Sequence, residues 1–277
     1  MKTSISNLKS KGFVNMEYPQ DLRQAVHTAV DSWKRFYSLP TDLKKDLPYS
    51  NNTAGVGYEL KEGVGKNADH KENFDVTIGG KEWLEKHITH INNPIALEFV
   101  RNAVALVEVM KPIILDFAQQ AENEFHLKGF VKEVEESKDA FFVRFIHYFG
   151  DRAVGDEIAS AHPDQSGFTL HLFESSPGLQ CLTFDRQWID MPVSEGETVI
   201  IPSMQLQLCS QGELKALCHR VVATQETAQN GRYSAVCFVQ LKRTAKYDKE
   251  SHGRLQEKTP GFNYDMTHEE FAKLFKV

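Results

Sequence analysis

The chain has 277 residues, a net charge of −6, 41% apolar and 25% charged residues, the make-up of an ordinary globular protein near the upper size for one hydrophobic core. Its Lys and Arg residues are scattered, so the basic stripe of a nucleic-acid binder is missing. No run of about 18 apolar residues occurs, and MKTSISNLKSKGF lacks the apolar region of a signal peptide, so no membrane span and no secretion are expected.

The first half reads as helical. Leu22, Ala25, Val26, Ala29, Val30, Trp33 and Phe36 recur at helical spacing over 21–38, with Asp21 as the expected N-cap. Thr41 opens a short helix after Pro40. Residues 50–80 are rich in Gly and Asn and read as a loop with short strands. The stretch 94–125 carries one apolar face (Ile95, Val100, Val104, Val107, Ile114, Phe117, Ala121), with a kink expected at Pro112.

The texture changes near Ala140. FFVRFIHYF, FTLHLF, LQCLTF, ETVIIP, ALCHRVVAT and RYSAVCFVQL follow one another, separated by Gly, Pro, Asp and Asn. Such a series of short β-rich runs predicts a sandwich, barrel or jelly roll. A last helix is expected at 267–276, with Thr267 and Glu270 as a capping box. Cys181, Cys209, Cys218 and Cys237 form no C-x-x-C pair and lie in apolar stretches, so free thiols in a reducing, cytoplasmic compartment are expected.

Of eleven histidines, His162 stands out because Asp164 follows two residues later. On a strand the two side chains share a face. H-x-D alone is weak, since two short polar residues near a turn are more often solvated or capping. With His219 in a later β-like run, they make two imidazoles and one carboxylate. That set can bind one face of a metal and leave positions open, as in non-haem Fe(II) oxygenases. His87 and His90 share a helix spacing without a carboxylate partner and read as a solvated face.

The surrounding residues carry a resemblance. AHPDQSGFTLHLFESSPGLQ resembles the H-x-D-x-G-x-x-T-L-L-x-Q-D…G-L-Q segment of the iron(II)/2-oxoglutarate-dependent dioxygenases of the isopenicillin N synthase-like branch. EGETVIIPSMQLQLCSQGELKALCHRVV resembles that family's run from the G-x-x-x-V-N-x-G-D turn to H-R-V, without a gap from Gly196 to Val222. Arg232-Tyr233-Ser234 matches R-x-S, and FVRFIHYF resembles the L-R-x-x-x-Y-P strand. GFV at 12–14, FYSLPTDLKKDL at 36–47 and GY…DHKENFD at 57–75 resemble the helical N-terminal region, so the likeness covers nearly the whole chain.

The resemblance implies a mixed α+β protein with a double-stranded β-helix (jelly-roll) core and a helical N-terminal half packed on it. One unit is expected over 1–277: helical region 1–138, jelly-roll Fe(II)/2-oxoglutarate core 139–250, helical tail 251–277. It implies Fe(II) held by His162, Asp164 and His219, with 2-oxoglutarate and O2 as co-substrates. Arg232 and Ser234, with Tyr148, would hold the 2-oxoglutarate carboxylate; a planar guanidinium and a hydroxyl suit that group. Asp164 favours hydroxylation or another oxidation over halogenation, where a halide takes the carboxylate's place. The expected reaction oxidises a small organic substrate and releases succinate and CO2.

Strand alternation puts Phe238 on the face of Arg232 and Ser234, and groups His171 and Phe173 with Thr169, so all three are candidate substrate contacts. For His171 a satisfied core or surface histidine is an equal alternative. Glu72, in KENFD, reads as structural. Ile201-Pro202-Ser203-Met204 departs from the family's N-x-G-D turn and is expected to lie away from the metal. The family's first strand, I-P-x-I-D, is absent or degenerate. Two rival readings remain: a 2-oxoglutarate-independent Fe(II) oxidase of the same fold, and a non-catalytic jelly-roll binding module. The sequence sets neither substrate nor oligomeric state.

Overall fold

A computed structural model of the chain describes residues 4–49, 55–63, 70–242, 260–262, 270, 273 and 274. The helix expected at 267–276, with Thr267, lies largely outside these residues. In chain order come α1 (Asn7–Ser10), β1 (Val14–Glu17), α2 (Gln20–Tyr37), α3 (Thr41–Lys45), β2 (Gly57–Glu62), β3 (His70–Thr77), α4 (Lys81–Ile91), α5 (Pro94–Val109), α6 (Lys111–Phe125) and α7 (Phe130–Glu136). The second half holds β4 (Phe141–Tyr148), β5 (Glu157–His162), β6 (Phe168–Glu174), β7 (Leu179–Leu182), β8 (Trp188–Asp190), β9 (Glu197–Pro202), α8 (Met204–Cys209), β10 (His219–Val222), α9 (Gln225–Asn230) and β11 (Arg232–Val239).

Local chemistry explains the helix limits. α2 starts at Gln20 with Pro19 in the cap position, so Asp21 is not the cap. It lies in the first turn, where its Oδ1 accepts from the Leu22 N–H at 2.9 Å and its charge suits the positive helix end. Asn93 caps α5, accepting from the Ile95 and Ala96 N–H groups. The 94–125 stretch is broken rather than kinked: Met110 separates α5 from α6, and Pro112 sits in the first turn of α6, where its missing N–H costs little. The Gly- and Asn-rich region contributes β2 and β3, a paired hairpin on the sheet edge.

Two antiparallel sheets face each other. The larger runs β1-β9-β6-β11-β4-β3-β2 and the smaller β5-β10-β7-β8, among the described residues. This is the jelly roll. A first strand does exist: β1, built from Val-Asn-Met-Glu, pairs with β9 at the edge.

Strand alternation assigns each face of the larger sheet. Phe141, Val143 and Phe145 of β4 and Ala235, Cys237 and Val239 of β11 point outward into one apolar core with α2 and α5. Trp33 and Phe99 pack on Phe145 at ring-centre distances of 5.4 and 5.2 Å. Ile146, Tyr148 and Val236 point the other way, against Ile158, Leu179, Cys181 and Val221 of the smaller sheet.

β6 changes parity partway. Val236 pairs with His171, but Ala235 pairs with Phe173, so Leu172 is an extra residue, a β-bulge. Before it, His171 shares the inner face with Thr169. After it, Phe173 turns to the outer side with Ala235, and Glu174 comes inward beside Ser234. The expected grouping of Phe173 with His171 is therefore corrected.

Glu72 ties the helical half to the sheet. Its carboxylate accepts from Lys44 Nζ (2.7 Å), the Tyr58 hydroxyl (2.7 Å) and His147 Nδ1 (2.8 Å). The Lys44 and Glu72 side chains are 5% and 4% exposed. Burial pushes the Glu72 carboxyl up, but His147, Lys44 and Tyr58 outweigh it and hold it below its usual value. Among the described residues no helix is long and apolar enough to cross a membrane.

Glu72→Gln leaves Lys44 buried without its counter-charge and is expected to destabilise the fold by about 3–5 kcal/mol near neutral pH. A depressed carboxyl stabilises the fold above its unfolded value and loses that contribution as pH falls through the folded one. The gap between wild type and Glu72→Gln in chemical denaturation should thus shrink as pH drops below the ordinary carboxyl value of 4.5.

Candidate metal centre and adjoining cavity

His162 ends β5 and His219 begins β10, and these antiparallel neighbours place the two residues directly opposite each other. Asp164 follows in the turn after β5. One ligand atom from each of the three lies within 4.8 Å of the others. His162 Nε2 and His219 Nε2 stand 3.7 and 3.8 Å from the two Asp164 oxygens. Each ring is oriented from behind: His162 Nδ1 lies 2.6 Å from the Ser160 carbonyl oxygen and His219 Nδ1 3.1 Å from that of Leu217. Donation by Nδ1–H to a carbonyl leaves the Nε2 lone pair free for a metal.

Asp164 is buried and fixed by the Thr169 hydroxyl, which donates to Oδ2 at 2.6 Å. Burial alone would raise its carboxyl, yet His219, His162 and Thr169 hold it below the ordinary range, so it stays an anionic donor. Burial also pushes the His219 imidazole down, which keeps it neutral as a ligand must be. Two oriented imidazoles and one carboxylate, with His162 half-exposed at the open side, suit a divalent transition metal.

The turn that departs from the family pattern does not lie away from this centre. β9 runs beside β6, with Ile201 opposite Thr169, so its end lands behind Asp164. The Met204 N–H donates to the Asp164 carbonyl at 2.9 Å, and Ser203 Oγ is 3.1 Å from Thr169 Oγ1.

A single cavity opens from the triad across the inner face of the larger sheet. His162, Asp164, His171, His219, Tyr148, Arg232, Ser234 and Phe238 all line it. Phe173 does not: it borders a separate pocket next to α2. His171 is buried, its ring edge-on to His219 at 5.7 Å, and its Nε2 has no hydrogen-bond partner. Burial pushes this imidazole down to about 3, so it is a neutral hydrogen-bonding group in the cavity wall.

Arg232 is 1% exposed. Gly231 precedes it at φ +72°, where an added Cβ would stand 2.6 Å from the Tyr148 carbonyl oxygen, so only glycine lets the chain enter β11 against β4 here. Arg232 Nε donates to the Ser176 carbonyl oxygen at 3.0 Å, and Nη2 pairs with Glu174 Oε2. Those two groups occupy one edge of the guanidinium and leave Nη1 outside these contacts, on a residue that lines the cavity. Glu174 in turn accepts from the Val193 N–H at 3.1 Å. Burial raises the Glu174 carboxyl, with Arg232 opposing. Sequence reasoning missed Glu174. The available signal was that a buried arginine requires a counter-charge, and Glu174 is the acid next to the FTLHLF run.

Residues 138–241 match the family model of the 2OG-Fe(II) oxygenase superfamily. A 2-oxoglutarate-dependent dioxygenase of Didymella fabae is 24% identical over 74% of this chain and 68% of its own length. Feruloyl CoA ortho-hydroxylase 1 of Arabidopsis thaliana is 24% identical over 83% of this chain, which spans only 60% of that relative. A full-length Neurospora crassa protein solved in complex with alpha-KG has the same fold, with a TM-score of 0.70 at 16% identity over 96% of this chain and 86% of that one.

Thr169→Val removes the hydroxyl that orients Asp164 without touching a ligand atom. It is expected to weaken divalent-metal binding by about 10–100-fold, measured by equilibrium titration with Mn(II).

Proposed function

We infer the activity from the premise that this chain belongs to the 2OG-Fe(II) oxygenase superfamily: it is an Fe(II)- and 2-oxoglutarate-dependent oxygenase of the isopenicillin N synthase-like branch. It oxidises a small organic substrate. In the hydroxylating form, substrate, 2-oxoglutarate and O2 give hydroxylated substrate, succinate and CO2. His162, Asp164 and His219 hold Fe(II), which supplies the oxidising chemistry once co-substrate and O2 are bound.

The observation that carries this reading is the meeting of the triad with Arg232, Ser234 and Tyr148 in one cavity. Arg232 presents its remaining edge, and Ser234 its hydroxyl, to the distal carboxylate of 2-oxoglutarate. Glu174 and Ser176 hold the guanidinium in place beforehand, which lowers the ordering cost of binding. Apolar walls (Ile146, Leu179, Val221, Val236) flank the reacting centre. His171 and Phe238 contact the substrate, whereas Phe173 borders a separate pocket. Four free cysteines among the described residues support a reducing, cytoplasmic setting.

One observation favours the 2-oxoglutarate-independent oxidase as a second reading. Arg232 already has an internal carboxylate in Glu174, which reduces the positive charge it offers a co-substrate.

Succinate formation separates the two readings. Protein loaded with Fe(II) without oxygen should gain thermal stability with 2-oxoglutarate, and should release one succinate per product once substrate and O2 are supplied. Product without succinate supports the oxidase. His171→Ala should change substrate KM or kcat while sparing Fe(II) and 2-oxoglutarate binding; unchanged turnover removes His171 from the substrate site.

A further inference from the structure

Two basic side chains in the cavity take no part in the proposed binding of iron or 2-oxoglutarate. Arg144 of β4 and Lys71 of β3 line its far side from the triad. Asp164 is the one acid among the lining residues, and it belongs to the metal set.

Arg144 is built as an anchor. Its Nε and Nη2 make a bidentate pair with Asp75, at 2.8 and 2.7 Å. Asp75 is buried at 4% exposure while the Arg144 side chain keeps 28%. The pair fixes the guanidinium plane and leaves Nη1 outside it, on a residue that lines the cavity. Lys71 Nζ lies 5.7 Å from the Tyr148 ring centre, adding positive charge beside the same space.

The rest of that wall is apolar. Phe238 stacks on Phe142 with ring centres 4.8 Å apart, and Arg144 Cζ sits 5.7 and 5.8 Å from the two rings. Ile146 and Val236 continue the wall toward His171. In the sheet order, β4 stands two strands from β6, which carries His171. Two strand spacings are roughly 10 Å.

We propose that the substrate is a small hydrophobic carboxylic acid. Its carboxylate binds Arg144 with Lys71 nearby, and its apolar body lies along Phe238, Ile146 and Val236 toward the triad. The carbon facing the triad is thus one remote from the carboxylate. This rests on the oxygenase reading and adds the substrate class and its anchor, a residue with no role in holding metal or co-substrate.

The test is calorimetric binding to protein loaded with Mn(II) and 2-oxoglutarate. The probes are trans-cinnamate, phenylacetate and hexanoate, each beside its methyl ester. At least one acid should bind about tenfold or more tighter than its ester, the value of one charge-assisted hydrogen bond. Arg144→Gln should remove that difference and leave 2-oxoglutarate affinity unchanged. Arg144→Lys keeps the charge but loses the fork, guards against a folding defect from an unpaired Asp75, and should retain part of the preference. Esters that match their acids, or acids that fail to bind while 2-oxoglutarate does, overturn the proposal alone. An acid that displaces 2-oxoglutarate also overturns it, by putting the carboxylate on Arg232. Protein that binds Mn(II) but no 2-oxoglutarate overturns both this proposal and the oxygenase reading.

Discussion

The arrangement of the site depends on a buried guanidinium and on the single extra residue that brings its counter-charge inward. Arg232 is almost fully enclosed, and an enclosed cation without a counter-charge is too costly to keep. The bulge at Leu172 flips the alternation of β6, brings Glu174 inward beside Ser234 and sends Phe173 out to the helical layer. Without it the phenyl ring would face the cavity and the carboxylate would be lost to the other side. The same bulge leaves His171 inward, one step from the metal set, so one backbone irregularity fixes both the anchor's partner and the wall of the cavity.

The metal set has a similar logic of support from behind. Antiparallel pairing of β5 with β10 brings the two histidines opposite each other, and backbone carbonyls orient their rings. Asp164 is held by Thr169, which meets Ser203 from the turn after β9. That turn carries the least family-like residues of the segment, yet its backbone closes directly onto Asp164. A changed turn here alters the support of a ligand, not a remote loop.

The helical half has a mechanical part in this. α2 and α5 cover the outer face of the larger sheet, so its inner face can be given over to polar and charged groups. Glu72 joins Lys44 of α3 to β2, β3 and β4, next to the pairing of Lys71 with Tyr148. The strands that carry Arg144 and Lys71 are therefore held by a buried ionic cluster, so that part of the cavity wall rests on the region where family motifs are weakest.

The sequence by itself brought the candidate metal and carboxylate-binding residues into view. His162, Asp164, His219, Arg232 and Ser234 are readable because each must be one residue type at one spacing, and alternation along a strand is a local property. It also placed Phe238 on the inner face, since β11 runs unbroken in parity. What only the tertiary structure decided lies wherever pairing between distant strands overrides local alternation. Phe173 was misassigned because a bulge is defined by the partner strand, not by the bulged one. Glu174, the turn at Ser203 and Met204, and the Arg144–Asp75 pair stayed hidden for a related reason. Burial and counter-charge are relations between residues far apart in the chain, and they come into being only when the sheets close.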